Sequence, residues 1–234
     1  MTTAQKTLPP AVVLFDVDET LVHTGGSGAR SWSAAFDALY GVAADIGEHS
    51  GAGETDPQVV RATFRAVLGR DPSDDELAQL YARYLLHLAD DIAVSVGYRL
   101  LAGAEATLVR LQRAGVTLGL VSGAMEGAAR IKLGPANLNR YFIFGAYGSD
   151  SPNRTELTRI AIAKASKLRG NLSADRVYVV GDTPRDVSAA KASGVVSVAV
   201  ASGHFSVSEL LAAGADHVLA SLEDNFPGLM MSTG

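Results

Sequence analysis

The sequence predicts an α/β fold, a Rossmann-like parallel sheet with helices on both faces, into which an all-α cap domain is inserted. Short apolar runs bounded by turn residues alternate with segments of helical period, most of which are followed by glycine. Between residues 23 and 97 the alternation stops and only helical patterns occur. Strand, helix, glycine, strand is typical of a parallel sheet buried on both faces, and the interruption indicates an insertion.

The predicted elements follow from these patterns in chain order. The apolar runs predict strands at 11–15, 116–121, 141–146, 177–180, 195–200 and 217–219. Helices that cover the sheet are predicted at 104–114, 126–133, 155–168, 186–192 and 206–213, and helices of the insertion at 29–40, 57–68 and 74–89. We therefore predict a core domain of residues 1–22 and 98–234 and a cap domain of residues 23–97. The glycine-rich segment 25–28 is flexible enough to serve as a hinge between them.

Composition excludes several classes of function. The chain has 234 residues, no cysteine and a formal net charge of -5. Disulfides, thiolate zinc sites and cysteine nucleophiles are therefore excluded, and no basic stripe is present to bind nucleic acid. The chain contains no run of about 18 apolar residues and no amino-terminal signal-peptide pattern, so we expect no membrane segment and a cytoplasmic location. The sequence leaves a monomer and a dimer equally open.

Two acidic motifs follow predicted strands. Asp16 and Asp18 follow the first strand in FDVDETLV at 15–22, and Asp182 and Asp186 follow the fourth in GDTPRDV at 181–187. Taken singly, Asp16 and Asp18 could merely begin a turn and Asp186 could merely begin a helix. If the two strands adjoin, however, Asp16, Asp18 and Asp182 converge at the sheet edge where ligands bind in open α/β folds. Such a cluster of carboxylates requires a cation, and its hard oxygens favour Mg²⁺.

Two further strand ends carry groups that can hold an anion. Ser122 and Gly123 follow the second predicted strand, where a hydroxyl and backbone N–H groups precede a helix. Arg154 follows the third strand near the start of the next helix, where it could bind a phosphoryl oxygen bidentately. The simpler alternatives are an ordinary Ser-Gly turn and a solvated arginine.

Together and in this order, the four features resemble the haloacid dehalogenase superfamily of aspartate-nucleophile phosphohydrolases. FDVDETLV resembles its first motif, Ser122 its hydroxyl position, residues 150–154 its cationic position and GDTPRDV its acidic motif. The phosphoglycolate phosphatase-like branch is most similar, because its helical cap follows the first motif and because residues 203–216 resemble its tail. One departure is that the family usually has lysine where Arg154 stands. Lys132 lies in the helix after Ser122, and Lys164 lies too far along its own helix.

The resemblance implies a role for each site residue. Asp16 would attack phosphorus to form an aspartyl-phosphate, and Asp18 would protonate the leaving alcohol and then activate water. The resemblance implies Mg²⁺ as cofactor. Its ligands would be Asp16, Asp182 and the backbone carbonyl of Val17, with the Asp18 carbonyl as the alternative, and Asp186 would support it from outside the ligand set or through water. The implied substrate-binding residues are Thr20, Ser122, Gly123 and Arg154.

The predicted function is therefore Mg²⁺-dependent hydrolysis of a small-molecule phosphate monoester by a phosphoglycolate phosphatase-like enzyme. Asp18 disfavours dehalogenation, because a halide leaves without protonation. A sugar phosphomutase on the same scaffold and a non-catalytic phosphate-ligand sensor are the alternatives. Phosphoglycolate, a sugar phosphate and a nucleoside monophosphate all remain possible substrates.

Substrate choice is expected to lie in the cap. The glycine-rich loop at 48–57 could reach the catalytic cleft, and His49, Glu54 and Arg61 are candidate specificity residues. We interpret Asp56, which precedes Pro57, as an ordinary helix cap. His23 could contact substrate or line the hinge.

Overall fold

The computed structural model describes residues 9–49 and 51–229. The strands of this part of the chain are β1 (Val12–Phe15), β2 (Val22–Thr24), β3 (Tyr98–Leu100), β4 (Thr117–Ser122), β5 (Phe144–Tyr147), β6 (Val177–Gly181), β7 (Val196–Val200) and β8 (His217–Leu219). Six of them form one parallel sheet in the order β5-β4-β1-β6-β7-β8, and β2 and β3 form a separate antiparallel pair. Strand β1 is therefore central, with β4 and β6 as its direct neighbours.

The helices of the same residues fall into two groups. Those that follow strands of the main sheet are α4 (Ala104–Arg113), α5 (Glu126–Leu133), α6 (Arg154–Arg169), α7 (Pro184–Ala192) and α8 (Val207–Ala212). Those between β2 and β3 are α1 (Ser27–Tyr40), α2 (Asp56–Leu68) and α3 (Asp74–Val94). Short 3₁₀ turns occur at Ile46–His49, Leu138–Tyr141 and Ala174–Arg176.

Both faces of the sheet are buried. Alternate side chains of β1 enter different parts of the core: Val12 and Leu14 pack with α6 and α7, and Val13 and Phe15 pack with α4 and the helical insertion. All four of these side chains are fully buried. This two-sided burial explains why the strands are continuous apolar runs rather than alternating patterns. The predicted α/β class with a helical insertion is confirmed.

The helical insertion packs against the core. Within it, the Trp32 ring of α1 stacks on the Tyr84 ring of α3, with ring centroids 3.9 Å apart. Toward the core, Leu85 of α3 lies so close to Gly127 of α5 that a Cβ on this glycine would be 3.1 Å from the leucine side chain. The two chain segments that connect the insertion to the core run side by side as the β2–β3 pair. The backbones of Gly25 and Gly97 lie so close that a Cβ on Gly25 would be 2.6 Å from Gly97. The insertion is thus attached at one short two-stranded neck and seated on α5.

Two details of the strand prediction are wrong. Strands β2 and β3 were not predicted, because three residues are too few to show a period of two. The strand predicted at 141–146 begins only at Phe144, and the preceding apolar residues belong to the Leu138–Tyr141 3₁₀ turn and to Phe142, which packs in the core. Apolar character indicated burial correctly for Tyr141 and Phe142, but Ile143 is exposed and the backbone of the segment is not a strand.

Among the described residues, no helix is both long enough and apolar enough to cross a lipid bilayer.

Gly103 begins α4 in a place where only glycine fits. Its φ is +76°, and a Cβ there would lie 2.2 Å from the backbone of Leu222 and Glu223. Gly115 has nearly the same φ, +75°, with no atom within 4 Å of an added Cβ. We expect Gly115→Ala to lower the free energy of unfolding by about 1 kcal/mol, the cost of the left-handed backbone alone. Because backbone must also move, Gly103→Ala is expected to lower it by at least about 3 kcal/mol.

Urea unfolding of both variants measures the difference. Equal losses would show that the 222–223 segment yields without cost.

Candidate active site

The adjacency of β1 and β6 brings the two acidic motifs together. Phe15 is in register with Val180, and the Asp16 N–H donates to the Val180 carbonyl at 2.9 Å. Asp16 and Asp182 therefore leave the sheet side by side. Carboxylate oxygens of Asp16, Asp182 and Asp186 all lie within 4.8 Å of one another, and the three residues are buried.

Asp186 is held by hydrogen bonds on both of its oxygens. One oxygen accepts from the backbone N–H of Thr183 at 3.1 Å and from the Thr183 hydroxyl at 2.7 Å. The other accepts from the guanidinium of Arg154, with a distance of 2.9 Å to Nε. Since both oxygens are engaged, Asp186 anchors α7 to Arg154.

Arg154 is the cation of this cluster. It is the first residue of α6, its side chain is 9% exposed, and its Nη2 lies 2.9 Å from Asp16 Oδ2. Burial alone would lower the pKa of Arg154, but the carboxylates of Asp16 and Asp186 outweigh burial and raise it. The guanidinium therefore stays charged between the two acids, as the sequence predicted for a cation at this position.

The acids still outnumber the cation. The pKa of Asp182 is raised to about 8, mainly by burial and in addition by the neighbouring charges of Asp186 and Asp16. Burial likewise raises the pKa of Asp16 to about 6, although Arg154 opposes the shift. Three carboxylates against one guanidinium leave two negative charges in excess. The Asp182 carboxylate accepts a 3.4 Å hydrogen bond from the Thr20 hydroxyl and one from its own backbone N–H, neither of which brings a positive charge. This donor set of hard oxygens fits a divalent cation such as Mg²⁺.

Asp18 has a partner that the sequence analysis missed. The ammonium of Lys132, on α5, lies 2.7 Å from Asp18 Oδ2. Burial alone would lower the pKa of Lys132, but Asp18, Tyr84 and Asp56 together raise it above its usual value. The available signal was helical spacing, because Lys132 shares the buried face of α5 with Ala128 and Ala129. A lysine on an apolar face needs a buried partner.

The turn after Asp18 decides which backbone carbonyl is free to bind a metal. Glu19 adopts a left-handed conformation with φ 55°. The Val17 carbonyl accepts hydrogen bonds from the N–H groups of Leu21 and Val22 at 3.0 and 3.2 Å, which leaves it poorly suited to bind a metal. Among the described residues no hydrogen bond ends on the Asp18 carbonyl, so the geometry favours that alternative.

Thr20 was predicted to bind substrate, and the structure contradicts this. The residue is fully buried, and its hydroxyl donates to Asp182. Thr20 therefore holds the Asp182 carboxylate by a hydrogen bond and does not line the cavity.

A cavity of about 320 Å³ opens above the acids. Its floor includes Asp16, Asp18, Ser122, Gly123, Arg154 and Asp182, and its wall on the side of the insertion is the segment 51–54 with Asp56. Glu19, Ala124, Thr183 and His204 also line it, although the sequence analysis assigned them no role. The volume lies at the small end of ligand pockets, so the cavity suits a small substrate.

Glycine allows the insertion loop to approach so closely. A Cβ on Gly123 would lie 2.7 Å from the Glu54 carbonyl and 3.3 Å from a guanidinium nitrogen of Arg154. A Cβ on Gly53 would lie 2.9 Å from the Thr183 hydroxyl. The backbone of the 51–54 loop therefore lies directly against the floor of the site, and the absence of a side chain at Gly53 and Gly123 permits this contact.

The candidate specificity residues separate in the structure. Glu54 lines the cavity and pairs with Arg185 at 3.1 Å. Arg61 does not line it, because its side chain is directed toward Asp74 of α3 at 4.0 Å. The side chain of His49 lies outside the described residues, as does Ser50. His23 lies on β2 and contacts Glu19 at 2.5 Å, in accord with a place in the neck.

The interpretation of Asp56 as a helix cap is wrong. Thr55 caps α2, through a reciprocal pair of hydrogen bonds with Gln58. The Asp56 carboxylate instead accepts a hydrogen bond from the Met125 N–H, at 2.9 Å, and one from the Trp32 indole. Asp56 therefore fastens the insertion to the start of α5, where the helix dipole favours a negative charge.

Comparisons with known proteins agree with this geometry. Residues 10–194 match the model of the haloacid dehalogenase-like hydrolase family. The chain belongs to the haloacid dehalogenase-like hydrolases. This confirms the resemblance drawn from the four motifs and the prediction of a hydrolase. Among curated relatives of this hydrolase is the phosphoglycolate phosphatase of Rhodospirillum rubrum, 33% identical over 204 residues, which cover 83% of this chain and 81% of the relative. The phosphoglycolate phosphatase of Salmonella typhi is 28% identical over 236 residues, with 93% and 91% covered.

Solved structures of similar fold include CbbY from Rhodobacter sphaeroides in complex with phosphate. Its TM-score is 0.70 at 20% identity, and the match covers 91% of this hydrolase and 95% of that chain. A predicted phosphoglycolate phosphatase from Haemophilus somnus has a TM-score of 0.69 at 17% identity, with 91% and 94% covered. At these identities the likeness supports the fold of the hydrolase.

The unbalanced charge on Asp182 predicts an effect on stability. Its pKa is higher in the folded hydrolase than in the unfolded chain, so the folded state retains a proton that the unfolded state loses above pH 4. Its contribution to stability is complete below that pH and disappears as the pH rises through about 8. With EDTA present, Asp182→Asn should therefore raise the free energy of unfolding at pH 8 by at least about 1 kcal/mol, the equivalent of one pKa unit.

Urea unfolding in EDTA at pH 5.5 and 8 provides the measurement, and Asp186→Asn is the matched control. Because Asp186 accepts hydrogen bonds on both oxygens, its amide should destabilise the protein by about 1–3 kcal/mol. Destabilisation by Asp182→Asn at pH 8 would contradict the assignment of an uncompensated charge.

Proposed function

We propose that this hydrolase is a Mg²⁺-dependent phosphatase that cleaves a small-molecule phosphate monoester through an aspartyl-phosphate on Asp16. The observation that carries the proposal is the buried cluster of Asp16, Asp182 and Arg154 in the floor of a small cavity. Curated relatives that are 28% and 33% identical to this chain are named phosphoglycolate phosphatases, which supports the same chemistry.

Asp16 is the proposed nucleophile. One of its oxygens contacts Arg154, and the residue lines the cavity, so the carboxylate can be held in one orientation toward phosphorus. Attack forms a bond from a carboxylate oxygen to phosphorus and breaks the bond to the ester oxygen. Ser122, the backbone around Gly123 and the Arg154 guanidinium line the same floor and would bind the transferring oxygens.

Asp16, Asp182 and the Asp18 carbonyl are the groups proposed to hold Mg²⁺. When bound, the ion neutralises the repulsion between the phosphate and these carboxylates. Asp186 lies outside the ligand set in this proposal, because Thr183 and Arg154 occupy its oxygens. It would act by fixing Arg154.

Asp18 is the proposed acid and base. Its side chain is 40% exposed and lines the cavity, two residues from the nucleophile. It would give a proton to the departing alkoxide, and it would then take a proton from the water that attacks the aspartyl-phosphate. The alcohol and inorganic phosphate are the products, and Asp16 is regenerated.

We also propose that residues 23–97 act as a cap over a core of residues 1–22 and 98–234. The segment 51–54 and Asp56 form one wall of the cavity, so movement of the insertion about its neck would open the site. In the docked arrangement the cap leaves about 320 Å³ for the ester. Phosphoglycolate, the substrate in the names of the relatives, is small enough to be the first ester to test.

Replacing Asp16 tests the proposal directly. Purified protein is expected to release phosphate from p-nitrophenyl phosphate with Mg²⁺ and to stop in EDTA. Asp16→Asn should lower kcat by about 10³-fold or more, because the amide cannot form the acyl phosphate. The control is Asp71→Asn, an exposed aspartate of the insertion, which should leave kcat unchanged.

Release that persists in Asp16→Asn or in EDTA would contradict the proposed mechanism. Absence of release by the unmodified protein from p-nitrophenyl phosphate, phosphoglycolate and a sugar phosphate would contradict the phosphatase function.

Arg154 generates a second prediction. Arg154→Lys keeps a charge but replaces the two guanidinium nitrogens that contact Asp186 and Asp16 with a single ammonium nitrogen. KM should therefore rise by about 3–10-fold while kcat falls less than about tenfold. Arg154→Met removes the charge, and kcat/KM should fall by at least about 100-fold. Steady-state kinetics measure both variants, and thermal melts verify folding. Equal activity of the lysine and methionine variants would contradict the role of the charge.

A further inference from the structure

We propose that Lys132 is a positioning residue, whose ammonium group holds the Asp18 carboxylate where the core and the helical insertion meet. The inference rests on the proposed phosphatase function, in which Asp18 exchanges protons with the alcohol and with water. Neither the family resemblance nor the proposed mechanism assigns Lys132 a role.

The Lys132–Asp18 contact engages only one of the two carboxylate oxygens of Asp18 in the part of the chain that the structure describes. Asp18 Oδ2 accepts from Lys132 at 2.7 Å, and among the described residues no hydrogen bond reaches Asp18 Oδ1. The Lys132 side chain is 7% exposed, whereas that of Asp18 is 40% exposed and lines the cavity. One oxygen is therefore fixed from behind, and the other remains available to a substrate or to water.

The backbone of Lys132 is itself fixed to the neck. The Tyr98 hydroxyl, on β3, donates to the Lys132 carbonyl at 2.9 Å. Lysine side chains on a helix reach back toward its start, and the start of α5 is where Asp56 of the insertion accepts from the Met125 N–H. Lys132 is thus fixed at its backbone by the neck and at its ammonium group by Asp18 of the core.

Asp56 gives this arrangement a link to docking of the insertion. Asp18, Tyr84 and Asp56 are the groups whose charges act on Lys132, and two of them belong to the insertion. Burial raises the pKa of Asp56, and the charge of Asp18 adds to that increase. The Lys132 ammonium interacts favourably with both carboxylates, so removal of Lys132 would allow Asp18 to turn away while the insertion is seated.

The ion pair also excludes a simpler function for Lys132. The phosphate-binding position of the family already holds a cation, since Arg154 contacts Asp16 directly. Lys132 does not line the cavity, and its ammonium is engaged with Asp18. It would therefore act on the reaction through Asp18 rather than by contact with the phosphate.

The test is a kinetic cycle on the full chain with p-nitrophenyl phosphate and Mg²⁺. Lys132→Met should lower kcat by about 10–100-fold, with KM and the inhibition constant of inorganic phosphate within about threefold of the unmodified protein. Lys132→Arg should recover part of the loss, because it restores the charge. The control is Lys164→Met, a half-exposed lysine of α6 whose loss should change kcat less than about twofold.

The decisive comparison uses Asp18→Asn. If Lys132 acts through Asp18, then Lys132→Met added to Asp18→Asn should change kcat less than about twofold. The same 10–100-fold factor in both backgrounds would overturn the inference in favour of a structural role. A tenfold rise in the phosphate inhibition constant would overturn it in favour of phosphate binding.

Charge balance provides a second route if Lys132→Met does not fold. Lys132→Met with Asp56→Asn removes one charge of each sign, and the same cycle with Asp18→Asn applies to it. If the unmodified protein hydrolyses the ester and Lys132→Met has the same kcat, this inference is overturned and the proposed function stands. No turnover by the unmodified protein removes the proposed function and this inference with it.

Discussion

Repulsion among buried carboxylates is the constraint on which the rest of this site depends. The parallel pairing of β1 and β6 makes the repulsion unavoidable, because Asp16 and Asp182 leave neighbouring strands at the same sheet edge. Desolvation makes it costly, and the pKa of Asp182 rises to about 8 as a result. The buried cations Arg154 and Lys132 partly offset this negative charge.

The two buried cations divide the acids between them. Arg154 lies between Asp16 and Asp186, on the side of the sheet that carries α6 and α7. Lys132 approaches from α5 and takes Asp18. Among the described residues, Asp182 accepts hydrogen bonds from the Thr20 hydroxyl and its own backbone N–H but forms no ion pair. The acid left without a cation is therefore the one best prepared for a metal, and the acid proposed for proton transfer is the one whose side chain is 40% exposed.

The helical insertion completes the site with backbone more than with side chains. Gly53 and Gly123 let the 51–54 loop cross the floor of the cavity at distances that a Cβ would forbid. Asp56 secures this crossing to the start of α5, and Trp32 and Tyr84 secure Asp56 from within the insertion. The same helix therefore carries both the anchor of the insertion and the lysine that holds Asp18. Docking and chemistry share one element, which gives the insertion a physical means of influencing the reaction.

The sequence by itself determined the sheet, the insertion and the order of the motifs, because these depend on local periodicity and on residues close to strand ends. Asp16, Asp182 and Arg154 meet as their positions in the chain predicted, since parallel strands must bring their carboxyl ends to one edge. Tertiary structure alone decided which partner each polar group takes. Lys132 pairs with a residue 114 positions away, Asp56 binds a helix 69 positions away, and Thr20 faces Asp182 instead of substrate. Such pairings depend on how α5 and the insertion pack together, and no local pattern encodes the distance between two elements that meet only after the chain has folded.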